Sequence, residues 1–133
     1  MSAELVTYAL LNGAGPVTSI VGTRIYPVRL PPKESTPAIV YELISAVRAP
    51  AIDAYAPTHM TRSRVQVNLI SADFDVARNL RELVVAAMQF QRGLIGGVTV
   101  HSVLHAGEGP VSYDQQLGLY HRPIDFLITH EAT

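Results

Sequence analysis

The sequence predicts an α+β fold: a two-layer sandwich in which a mainly antiparallel sheet of about four strands carries two main helices on one face. Three observations lead there. Residues 61–70 set apolar Val65, Val67 and Leu69 against polar Arg64, Gln66 and Asn68, the period of two of a half-covered strand. Residues 74–90 repeat apolar side chains at helical spacing instead. Finally, the extended segments follow one another in pairs, which favours antiparallel neighbours with the helices gathered on one side.

Taken in order, residues 3–11 read as the first helix. Ser2 can cap it, Leu5, Tyr8 and Ala9 share one face, and Asn12-Gly13 stops it. Residues 18–22 suit one further turn of helix, with Gly22 placed to take a positive φ before the chain extends at Arg24-Ile25-Tyr26. Pro27, Pro31 and Pro32 then forbid regular structure until about Pro37. Residues 38–47 are rich in β-branched and aromatic side chains. Ile39, Tyr41 and Leu43 point one way and Val40 and Ile44 the other, so both faces of this strand are expected to be covered at least in part.

A long connection, 48–59, leads to the strand at 61–70. Ser71 or Asp73 caps the helix after it, whose inner stripe is Val76, Ala77, Leu80, Leu83, Val84, Ala87 and Met88. Gly93 to Gly97 closes that helix off. Residues 98–105 form a strand, 107–118 a polar loop, and 119–129 the last strand, with Ile124, Phe126 and Ile128 on one face. Pro123 inside this last strand argues for an edge position or a strand start, because proline gives no ladder hydrogen bond. With no repeat and no linker, residues 1–133 are expected to make one domain.

Composition narrows the function. Of 133 residues, 48% are hydrophobic and only 16% charged, against about 25% in ordinary soluble domains. A surface so short of charge is explained if other subunits cover part of it. The formal net charge is −1 with no Lys/Arg block, which disfavours tight binding to duplex nucleic acid. Cysteine is absent, excluding disulfides and thiolate metal sites. The start of the chain does not read as a secretory signal and no apolar run reaches about 20 residues, so cytoplasmic synthesis is expected, with no membrane partner.

No enzyme is expected. His101 and His105 sit four apart on a strand, about 13 Å along it, too far to share one ion directly, while His121 and His130 fall on opposite faces of theirs. Asp73 and Asp75 suit a helix start better than an acid pair. Asn12-Gly13-Ala14-Gly15 follows a helix and lacks the strand that a phosphate cradle requires, and no serine has a Gly-x-Ser-x-Gly setting. No metal and no cofactor is therefore assigned. Contacts with another subunit, a partner protein or a channel are expected in three places. One is the polar strand face of Arg62, Arg64, Gln66 and Asn68. Another is the long connection with Arg48, Ile52, Asp53, Tyr55 and Met60, too apolar for a freely solvated tip. The third is the late loop with Glu108, Tyr113 and Asp114.

Several segments, in order, resemble one family. They are Ala9-Leu10-Leu11, Ile20-Val21-Gly22-Thr23-Arg24-Ile25-Tyr26-Pro27, Pro37-Ala38-Ile39-Val40-Tyr41, Arg64-Val65-Gln66-Val67, and the helix bearing Asp75, Ala77, Leu80 and Val84. Gly97-Val98-Thr99-Val100 and Gly118-Leu119-Tyr120-His121-Arg122-Pro123-Ile124-Asp125-Phe126 complete the set. The family is that of the tail-completion, tail-terminator or head–tail joining proteins of long-tailed phages, prophages and gene-transfer agents. Pro123 departs from its usual strand-compatible residue. The resemblance implies a structural virion protein of the tail and neck, assembled in the host cytoplasm. It implies a homo-hexameric ring at the head-proximal end of the tail tube, which stops tube polymerisation and joins the tail to a neck or head-completion protein. The near-neutral charge fits a channel that genome DNA crosses without specific binding. The alternative from composition and fold class is a small-ligand-binding α+β regulatory domain, which predicts a dimer stabilised by its ligand.

Overall fold

The computed structural model describes residues 2–48 and 60–131. Its elements are α1 (Ser2–Asn12), α2 (Gly15–Val21), β1 (Ile25–Pro27), β2 (Ala38–Arg48), β3 (Met60–Ser71), α3 (Phe74–Met88), β4 (Gly93–Ile95), β5 (Val98–Glu108), β6 (Ser112–Asp114) and β7 (Leu119–Glu131). The strands form one mixed sheet in the order β1-β2-β3-β7-β5-β4, with β6 paired to β7. β1 runs parallel to β2, and every other pairing is antiparallel.

This corrects the expected architecture. The sheet is a curled, six-strand mixed half-barrel with three helices, not a two-layer sandwich of about four antiparallel strands under two helices. The curl has local causes. Register shifts between Leu43 and Ser45 in β2, and between Val100 and Ser102 and between His105 and Gly107 in β5, bend their strands and increase their twist. α1 lies across the concave side and touches both edge strands, β1 and β4. Gly96 makes that approach possible: its φ is +58, and a Cβ there would stand 2.9 Å from the Leu5 carbonyl oxygen.

The concave face holds the core. Ile39 and Tyr41 of β2, Val65, Val67 and Leu69 of β3, Val103 of β5, and Ile124, Phe126 and Ile128 of β7 meet Val6 and Leu11 of α1 and Leu80, Val84 and Met88 of α3. The inner stripe expected for α3 is the one buried, with Val76, Leu83 and Ala87 half-buried at its margins. Asp73 caps the helix, its Oδ1 accepting from the Asp75 and Val76 amides at 2.8 and 3.4 Å. The face shared by Leu5, Tyr8 and Ala9 is not the core face of α1. Leu5 is 51% exposed and Tyr8 is also exposed, while Ala3, Val6, Thr7 and Leu11 are buried.

Pro123 is a second correction, because β7 is the central strand between β3 and β5. Its place is explained by a change of neighbour. The β5 pairing ends at Ile124 and the β6 pairing begins at His121, leaving Pro123 in the gap between them. The Gly109 amide donates to the Pro123 carbonyl there at 3.2 Å, so the missing proline N–H leaves no rung broken. Upstream, Gly22 has the expected positive φ of 60. Arg24 then ties α2 to the start of β2, donating to the Ile20 and Pro37 carbonyls at 3.3 and 2.9 Å.

Candidate functional site

The convex face of the sheet is where the polar side of β3 points. Register sets Gln66 opposite Asp125 and Asn68 opposite Pro123 of β7. Arg64 Nη1 lies 2.9 Å from Asp125 Oδ2, Gln66 Nε2 donates to Asp125 Oδ1 at 3.4 Å, and Asn68 Nδ2 meets His121 Nδ1 at 3.1 Å. Three of the four expected residues on this face are thus engaged within the subunit, while Arg62 stands exposed. Ile44, Val47 and Leu104 add exposed apolar surface around them. The result is a broad, weakly charged face.

The other expected residues fall in different places. Arg48 ends β2 and is exposed, and Met60 opens β3 and is half-buried. Ile52, Asp53 and Tyr55 lie outside the described residues. Glu108 is not in a loop but at the end of β5, where Arg81 of α3 grips it through Nε at 2.8 Å and Nη2 at 3.0 Å. The Arg81 hydrogen bond holds the Glu108 carboxyl below its ordinary range against the opposing effect of burial. Tyr113 lies on β6, its ring 4.7 Å from that of Tyr120, which in turn packs edge-on against Phe74 at 5.6 Å. Arg122 lies over the Phe74 ring at 5.4 Å. Asp114 turns the chain, its Oδ1 accepting from the Gln116 and Leu117 amides at 3.0 and 3.2 Å.

The histidines are dispersed. His101 lies 3.5 Å from Glu131, His105 lies 3.9 Å from Glu108 and packs on Phe126, and His121 meets Asn68. Among the described residues no three His, Asp or Glu side chains converge as metal ligands. Ser63 and His130 form a hydroxyl–imidazole pair at 2.8 Å, but both are buried, at 1% and 4% exposure. His130 Nδ1 lies 3.0 Å from the Glu131 carbonyl and donates to it, and in the neutral imidazole Nε2 is then the acceptor of the Ser63 hydroxyl proton. The pair links β3 to β7 inside the core.

A feature not read from the sequence is a pocket of about 660 Å³ on the convex face. Its walls are the proline-rich segment 28–36 and the turn at Asp114 and Leu117. Its floor is Val40, Asn68 and His121. Tyr26 donates to Glu34 and holds the wall in place. The sequence signal was present but undirected: three prolines around Val28 and Leu30 forbid regular structure without saying what the segment covers.

The model of one protein family, the tail completion protein gp17, matches residues 7–131. The chain belongs to the gp17 tail-completion family. This tail-completion protein is a structural component of the virion, located at the tail and neck, where it associates with other proteins of the particle. Its fold is also found in a chain of a solved structure described as the virion of a native gene transfer agent particle. The TM-score is 0.71 at 16% identity, over 96% of this chain and 92% of that one. No curated protein matches the sequence significantly.

Proposed function

We propose that this tail-completion protein assembles into a closed homo-hexameric ring on the head-proximal end of the tail tube, ends tube polymerisation there, and offers its other face to the neck or head-completion protein. The observation that carries the reading is the family match over residues 7–131. Physical support comes from the convex face, which sets exposed Ile44, Val47 and Leu104 beside internally neutralised polar residues, a surface that loses little on desolvation.

The role is mechanical, and no bond is made or broken. Identical subunits close a ring when one side of each meets the opposite side of its neighbour. Arg48, Ile52, Asp53, Tyr55 and Met60 at the β2–β3 end, with Arg62 beside them, serve contacts between subunits or with the tube. Genome DNA passes through without specific binding, in keeping with a net charge of −1. The domain is a single unit, made in the host cytoplasm.

Negative-stain imaging of the purified chain mixed with tail-tube protein tests this reading. Six-fold rings seated at tube ends are the expected result. A chain that leaves tubes bare at every concentration refutes it.

A further inference from the structure

The chain carries an exposed apolar projection at one edge of the sheet and an apolar socket over β2, β3 and β7. The projection is segment 90–94, which follows α3 and runs into the first two residues of the edge strand β4. Phe90 is 73% exposed and Leu94 78%, more than any other large hydrophobic side chain described. Phe90 also holds a φ of 66, a conformation unfavourable to a side chain with a Cβ, and its backbone N–H donates to the Val103 carbonyl at 2.8 Å. The socket is the convex-face pocket between segment 28–36 and Leu117. Its wall contains Val28 and Lys33, with φ values of 69 and 62. These three are the positive-φ non-glycine residues among the described residues, and all lie on the projection or the socket.

We propose that segment 90–94 of one copy seats in the convex-face pocket of the next, and that this contact propagates around the ring. The inference rests on the ring reading above and names the surfaces that meet. Three observations identify a second copy as the occupant. A ring needs two unlike, complementary patches on the same chain, facing different neighbours. β4 is one edge of the sheet, while the pocket covers β2, β3 and β7 towards the other edge; with six strands in the path the edges are about 24 Å apart along the sheet. The charges also match. Arg92, inside the projection, is exposed and makes no ion pair with a described residue; Asp114, on the socket side, accepts from the Gln116 and Leu117 backbone amides and makes no ion pair with a described residue. Finally, Asn68 and His121, which meet each other at 3.1 Å, put polar side chains in the pocket floor, and Gln91 and Arg92 carry polar side chains beside Phe90. Arg29, Lys33 and Glu34 also line the socket, so its charges are mixed.

The test uses the absence of cysteine from the natural chain. The double variant Phe90→Cys/Leu117→Cys is mixed with tail-tube protein, oxidised mildly and run on a non-reducing gel, with each single variant beside it. The expected result is a ladder of linked species up to the ring size for the double variant. Each single variant should show several-fold less linkage, because like positions do not meet in a heterologous contact. Rings visible at tube ends with no ladder from the double variant overturn the contact while leaving the ring reading intact. Efficient linkage of Phe90→Cys alone overturns it too, since that marks a symmetric contact. Wild-type protein that forms no rings on tubes refutes the ring reading and this inference together. Should the first pair lose its circular-dichroism melt, Leu94→Cys/Val28→Cys takes its place, with the same outcomes read the same way.

Discussion

Arg81 on α3 holds Glu108 at the end of β5 with two hydrogen bonds, 2.8 Å from Nε and 3.0 Å from Nη2, fastening the helix to the sheet it covers. Both side chains are less than a third exposed, and the Arg81 hydrogen bond is what holds the Glu108 carboxyl below its ordinary range. A carboxyl with a depressed folded pKa contributes stability that is complete above its unfolded value, 4.5, and is lost as pH falls through the folded one. Glu108→Gln should therefore lower stability by about 1–2 kcal/mol at pH 7. Thermal melts of the two proteins should converge as pH falls below 4.5 and through the depressed folded value. A constant gap between them across that range would remove the pair from the stability of the fold.

Phe90→Gly separates folding from assembly. Glycine takes a φ of 66 without the steric cost that phenylalanine carries there, and little burial is lost from so exposed a ring. Stability should stay level or rise by up to about 1 kcal/mol in a urea titration. Capping of tubes, counted in micrographs, should fall. A variant that is both less stable and fully competent in capping would show that Phe90 serves the core.

Ser63→Ala leaves His130 Nε2 as a buried acceptor with no donor. The loss should be about 1–3 kcal/mol, seen as a drop in Tm of roughly 3–10 °C. Because the pair lies inside the core, assembly at low temperature should be unchanged. Retained Tm would mean that the imidazole finds another partner.

Tyr55→Asp places a charge in the long β2–β3 connection, which is proposed to touch a neighbour or the tube. Melting should match the natural chain while tube capping weakens by about tenfold or more, since desolvating an unpaired carboxylate is costly. Normal capping by this variant would take the connection out of the assembly.

The parts legible in the sequence were those with long periods. β3 declares itself by alternation and α3 by its stripe, and the polar set Arg64, Gln66 and Asn68 does share the convex face. Its partners were not legible: Asp125 lies 61 residues from Arg64 and His121 53 from Asn68, and only register brings them together. β4 and β6 are three residues each, too short for any period, and one lies within a stretch that its glycines mark as a helix stop. The half-barrel depends on bulges at Ile44, His101 and Ala106, where one extra residue bends the strand and puts its alternation out of step. The placement of α1, which touches both edge strands and buries Val6 and Leu11, was not legible either. Glu108 was assigned to a loop because Gly107 and Gly109 flank it, whereas the strand runs through the first of them.

The most direct measurement of the central claim is regrowth. Tail tubes of defined length are incubated with this protein, freed of excess, and challenged with fresh tube subunits, and the length distribution is read by electron microscopy. Tubes that carried the protein should hold their length while bare tubes lengthen from the same end. Equal growth of both populations, with the protein still bound, would contradict termination.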